Sequence, residues 1–196
     1  MGKIYVIMGK SATGKDTVYQ RILSEYKELL RPITLYTTRP KRSAEIDGRD
    51  YYFVSEQEYL ALKAENKVIE ERAYDTVHGV WRYFTVDDGN INTKENNYIL
   101  VATLEAYQNI KKYFGEDFVY PIYLEIDNGV RLERALEREK KQKEPKYTEL
   151  CRRFLADEED FSEEKIKAAG IVKKYPNESL EECIQMIEQN VLNHLK

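Results

Sequence analysis

The sequence predicts an α/β fold with a mainly parallel sheet. Three observations lead there. Strand-like and helix-like segments alternate along the 196 residues, and three stretches (residues 3–8, 98–104 and 118–126) are almost wholly apolar. The first of these runs straight into a glycine-containing turn, residues 9–15. A strand covered on one face alternates apolar and polar side chains, so an unbroken apolar run implies a sheet packed on both faces.

Each element follows from the pattern in turn. Residues 3–8, rich in Ile, Val and Tyr, read as a short buried strand. A helix follows, because Val18, Ile22 and Leu29/Leu30 recur at helical spacing until Pro32 stops them. From Ile33 to about Phe84 the chain carries turns at Asp47-Gly48 and His78-Gly79, alternating strands, and one helix announced by Ser55 with Glu58 as a capping box. That stretch reads as a lobe of its own. Asp87-Asp88-Gly89-Asn90 is a loop before the strand at 98–104, and residues 105–114 suit a crossover helix ended by Gly115. Past the strand at 118–126, Asp127 can cap a long charged helix from about Val130, whose charge-dense end at 137–144 belongs on the surface. A helix over about 147–161, a short strand at about 169–173 and a last helix capped by Ser179 with Glu182 complete the chain.

Composition narrows the function classes. With 42% hydrophobic side chains the chain can bury a core as one folding unit. Its 35 acids against 31 bases give a net charge of −4, which argues against nucleic acid as a partner and makes any phosphate site local. No apolar run approaches the roughly 20 residues of a membrane helix, so a cytoplasmic protein is expected. Cys151 and Cys183 stand far apart without ligand-like spacing, which gives a disulfide or zinc site no support. Oligomeric state is not legible.

Gly9-Lys-Ser-Ala-Thr-Gly14-Lys15 supplies a GxxxxGK pattern between strand and helix, the context in which it means a P-loop and a three-layer P-loop fold. Its glycines let backbone N–H groups of Gly9, Ser11, Ala12, Thr13 and Gly14 turn toward phosphate oxygens at a helix N-terminus. Lys15 would bridge the β and γ phosphates of ATP. Asp16 follows where the plain pattern has Ser or Thr, and Thr17 comes next. Asp16 either faces a magnesium ion or complements the helix dipole in the first turn. Arg39 and Arg42, three apart on a turn, offer two planar donor forks to one phosphate, and the Tyr51 hydroxyl adds a donor.

The run Thr37-Thr-Arg39-Pro-Lys-Arg42-Ser-Ala-Glu45-Ile-Asp47-Gly48-Arg-Asp50-Tyr51-Tyr-Phe53-Val-Ser55 resembles the guanylate kinase signature TTRxxRxGExxGxxYxFVS. The resemblance extends over the chain in order and implies a nucleoside monophosphate kinase using ATP and Mg2+, most simply GMP + ATP to GDP + ADP. It implies a core of about 1–33, 85–128 and 162–196, a monophosphate-binding lobe of about 34–84 and a helical lid of about 129–161. By the same resemblance Glu70 falls where a carboxylate reads the guanine donors, although Glu71 is adjacent and either could point inward. Arg134 and Arg138, one turn apart, with Arg152 and Arg153, resemble lid arginines that neutralise the transferring group; surface ion pairs would look alike. Thr17 takes the magnesium-side hydroxyl.

The sequence departs from the family in three respects. Leu35 replaces a base-binding Ser, the GNYYG(S/T) stretch reads His78-Gly79-Val80-Trp81-Arg82-Tyr83, and Val101 and Thr103 stand where aspartates are usual. Tyr83 or Trp81 then replaces a tyrosine of the clamp, Thr103 faces the substrate, and Asp16 takes part of the magnesium role. The alternatives left are a same-fold kinase for another (deoxy)nucleotide or a phosphorylated sugar, and an inactive binding domain of the same family. His78 and His194 have no part in the scheme.

Overall fold

Five strands make one parallel sheet: β1 (Ile4–Met8), β2 (Leu30–Pro32), β7 (Asn97–Val101), β8 (Val119–Glu125) and β9 (Lys174–Pro176), in the order β2-β7-β1-β8-β9. The computed structural model describes residues 2–76 and 79–195, without the side chain of His194, so His78 and that side chain lie outside the described residues. All five side chains of the central β1 are fully buried. The alternation of the strand sends Tyr5 and Ile7 to one face and Ile4, Val6 and Met8 to the other. On the first face lie α1 (Lys15–Glu25) and α7 (Leu180–Ile187), through Val18, Ile22, Cys183, Ile184 and Ile187. On the second lie α3 (Leu104–Phe114) and α6 (Glu163–Ala168), through Leu104, Ala106, Tyr107, Ile110 and Ile166. Each such aliphatic burial contributes roughly 1.5–3 kcal/mol. Helix, sheet and helix form the three expected layers.

A second sheet, ordered β4-β3-β6-β5, is built from β3 (Tyr36–Thr37), β4 (Tyr52–Phe53), β5 (Val68–Thr76) and β6 (Gly79–Val86). It carries its own small core, Tyr59, Phe84 and Val86, against α2 (Glu56–Ala64). Ser55 and Glu58 close the capping box that starts α2. Between β8 and α6 come α4 (Asn128–Lys140), capped by Asp127, and α5 (Tyr147–Asp160).

Three boundaries differ from expectation. The helix after the phosphate loop ends at Glu25, because amides of Leu29 and Leu30 turn back onto the Tyr26 carbonyl and Leu30 pairs with Asn97 as an edge strand. The apolar run at 98–104 stops as a strand at Val101, since the Thr103 hydroxyl caps the next helix. The strand expected at 169–173 lies at Lys174–Pro176: Ala169 and Ile171 are buried, but Val172 points into solvent at 95% exposure and none of the three pairs.

Candidate active site

The turn between β1 and α1 is shaped by its own backbone. Ala12 and Gly14 take left-handed values, φ 64 and φ 87. Gly14 is required twice over, because a Cβ there would also stand 2.5 Å from Asn177 Nδ2. Asn177 Nδ2 in turn donates to the Thr13 carbonyl (2.7 Å), and Thr13 Oγ1 donates to the Lys10 carbonyl (2.8 Å). Thr13 is therefore buried and holds the loop in shape. No side chain caps α1, which leaves its N-terminal amides and dipole directed at a cavity of about 560 Å³. Ser11, Ala12, Gly14, Lys15, Asp16, Thr17, Arg134, Arg138, Arg153 and Asn177 line that cavity.

Lys15 curls back over the loop, its Nζ donating to the carbonyls of Gly9 (2.7 Å) and Lys10 (2.9 Å). Desolvation pushes its pKa down to about 8, against the opposing pull of Asp157 and Asp16. Two loop amides are already engaged: Thr13 N–H donates weakly to the Lys10 carbonyl (3.4 Å), and Ser11 N–H donates to Asp157 Oδ2 at 2.7 Å. That carboxylate belongs to a network centred on Arg131, whose side chain is 1% exposed. Arg131 Nε donates to the Ser11 carbonyl (3.0 Å), Nη1 to Glu158 (2.7 Å) and Nη2 to Asp157 (3.3 Å), while the guanidinium lies 4.5 Å from the Phe154 ring centre. Lys10 Nζ completes it on Glu158 at 2.6 Å. The α4–α5 pair is thus fastened to the phosphate loop.

A larger cavity, about 970 Å³, opens beside the first, and the two share Ser11, Lys15 and Arg153. Its walls include Gly9, Arg42, Tyr51, Arg72, Tyr74, Trp81, Tyr83, Thr103 and Arg152. Arg39 stands behind this wall. Its fork is taken by Glu45 (2.7 and 3.0 Å), its Nε donates to the Tyr83 hydroxyl (3.1 Å), and it lies over the rings of Tyr51 and Phe53. Arg39 therefore orients Tyr83 and the turn, while Arg42, Tyr51 and Tyr83 reach the space. Burial raises the Tyr51 pKa, which keeps its hydroxyl a donor. Arg152 is paired with Glu149 (2.7 Å) at the rim.

The pairing of β5 with β6 settles which glutamate turns inward. Glu70 is buried, accepting from Thr85 Oγ1 (2.7 Å) and Arg72 (3.2 and 3.4 Å). Glu71 faces α2, where it meets Lys63 (2.7 Å) and the Tyr59 hydroxyl. Thr103 lines the larger cavity while its hydroxyl accepts from the Ala106 amide. Five residues of the site went unread in the sequence. Arg131 lies three before Arg134 on one helical stripe and Arg72 lies two after Glu70 on one strand face, spacings that were available signals, whereas Thr85 is set opposite Glu70 only by the β5–β6 pairing. Asp157 and Asn177 gave none, because only tertiary packing brings them to the loop.

A magnesium ion bound to substrate phosphates needs only one or two protein oxygens, with water completing its shell. Asp16 and Thr17, adjacent and exposed in the first turn of α1 and lining the smaller cavity, provide that donor set. No cluster of three or more His, Cys, Asp or Glu suited to a metal occurs among the described residues. Among them, too, no helix is long and apolar enough to cross a membrane.

The family model for guanylate kinase matches residues 1–191. The chain is 30% identical over 142 residues to a guanylate kinase of Thermotoga maritima, covering 70% of this chain and 67% of that protein. It is 29% identical over 188 residues to one of Caldanaerobacter subterraneus, covering 88% of each. The crystal structure of guanylate kinase from Anaplasma phagocytophilum superposes with a TM-score of 0.68 over 98% of this chain and 85% of that one, at 21% identity, a likeness of fold.

Proposed function

The chain belongs to the guanylate kinase family of phosphotransferases, and we propose that its two joined cavities are the ATP and GMP halves of one transfer site. The reaction is ATP + GMP to ADP + GDP. The observation that carries the reading is the shared wall: Ser11, Lys15 and Arg153 border both spaces, so donor and acceptor phosphates can meet at one set of groups.

In this reading the core is about 1–33, 85–128 and 162–196, residues 34–84 hold the acceptor and residues 129–161 form the lid. The amides of residues 9–14 and the Lys15 ammonium cradle the ATP phosphates, with the incoming γ-phosphate competing against Asp157 for the Ser11 N–H. Arg134, Arg138 and Arg153 face the same phosphates, and Arg152 stands at the acceptor rim. Arg42, Tyr51 and Tyr83 hold the GMP phosphate, with Arg39 and Glu45 fixing the turn behind them. Asp16 and Thr17 would hold magnesium, which neutralises charge on the β and γ phosphates when bound. The attacking oxygen belongs to a phosphate already ionised at neutral pH, so no general base is required. Catalysis is then positioning and charge stabilisation in a site from which the closed lid excludes water.

A coupled assay of ADP formation with ATP, magnesium and GMP, dGMP, AMP, UMP or CMP tests this. GMP is expected to support turnover far above the rate of ATP hydrolysis alone. Turnover with a pyrimidine monophosphate in preference to GMP, or with no acceptor at all, would overturn it.

A further inference from the structure

Alternate residues of the paired strands β5 and β6 form one face: Glu70, Arg72 and Tyr74 on the first, Thr85, Tyr83 and Trp81 opposite them. On that face the carboxylate lies deep and the guanidinium lies in front. The Glu70 side chain is 1% exposed and does not line the larger cavity; Arg72 does. Glu70 Oε1 accepts from Thr85 and from Arg72 Nη2, and Oε2 accepts from Arg72 Nε, so both oxygens are engaged within the protein. Arg72 spends its Nε and one Nη2 donor on Glu70. Its Nη1 group makes no hydrogen bond among the described residues, and Arg72 lines the cavity, which leaves that donor edge for a ligand there. Tyr74 and Trp81, on the same face and lining the same cavity, add aromatic surface suited to a flat base.

We infer that Arg72, held by Glu70 and Thr85, is the residue that selects the acceptor base, and that it selects a 6-oxopurine through O6 and N7. This rests on the kinase reading above and names what its acceptor half recognises. A guanidinium fork matches two adjacent acceptors, and O6 and N7 of guanine supply them. Adenine presents a donor at the same place as O6, so an amino group would face an N–H with no partner. The 2-amino group of guanine plays no part in this contact. Glu70 acts through Arg72 and is a positioning residue.

Steady-state assays of ADP formation with GMP, inosine 5′-monophosphate, 7-deaza-GMP and AMP test the assignment on the wild-type enzyme. Inosine 5′-monophosphate, which keeps O6 and N7 but lacks the 2-amino group, should be used within about fivefold of GMP in kcat/KM. Loss of N7 in 7-deaza-GMP should raise KM about tenfold or more, the size of a hydrogen bond from a charged donor. In Arg72→Gln the GMP KM should rise and the penalty for 7-deaza-GMP should shrink toward none, which a merely structural role for Arg72 would not produce. Glu70→Gln should raise KM for GMP and inosine 5′-monophosphate alike, with kcat little changed. Rejection of inosine 5′-monophosphate by about a hundredfold, with 7-deaza-GMP used as well as GMP, overturns the assignment and leaves the kinase reading standing; that comparison needs no variant to fold. ADP formation with none of the acceptors overturns both.

Discussion

The Lys15 ammonium rests on two loop carbonyls, desolvated, with its pKa down at about 8. A bound triphosphate favours the charged form, so nucleotide binding takes up a proton wherever the free enzyme has lost one. The sign follows. Below about pH 8 Lys15 is already charged and ATP affinity should be flat; above it, ATP Kd should weaken by up to about tenfold per pH unit until the bound-state pKa is passed. Calorimetric titration of ATP between pH 7 and pH 9.5 checks this, and a constant Kd would contradict it. At this scale the sequence was informative wherever spacing on one element carried the meaning. The GxxxxGK turn and the capping box at Ser55 were legible, as was the one-turn spacing that brings Arg134 and Arg138 to one cavity. The choice between Glu70 and Glu71 was not, since neighbours on a strand face opposite ways and only the pairing with β6 decides between them.

Elements were legible where periodicity and caps agreed, and misread where apolar residues imitated a period. Leu29 and Leu30 kept helical spacing with Ile22, yet Leu30 is buried as the edge strand beside β7. Ile171 and Val172 looked like a strand, but their backbone forms no ladder. The docking of α4 and α5 on the phosphate loop could not be read at all, because Arg131, Asp157 and Glu158 meet through a contact more than a hundred residues from Ser11. That network has a testable weight. Arg131→Met removes the cation between Asp157 and Glu158 and leaves them only the Ser11 amide and Lys10; full burial would make this cost about 3–5 kcal/mol, and the partial exposure of Glu158 with its remaining partners reduces it to about 2–3 kcal/mol. Thermal melting should fall by roughly 5–10 °C, with a parallel loss of turnover. An unchanged Tm would show that the network contributes no net stability.

Across the whole molecule, the parallel sheet was predictable from its unbroken apolar strands, and its strand order places the phosphate loop at the carboxyl end of the central β1. What sequence alone did not show is that the two cavities border one another, because that depends on how the second sheet and the α4–α5 pair lie about the loop. The shared border at Ser11, Lys15 and Arg153 is the feature from which the transfer reaction follows. A single molecule joining adenosine to guanosine through a chain of five phosphates spans both spaces at once and probes that border directly. Its Kd, measured by calorimetry with magnesium, should be at least about a hundredfold lower than that of ATP or GMP alone, since one binding event makes the contacts of two. A linked ligand that binds no tighter than ATP, with GMP still able to bind beside it, would contradict the account.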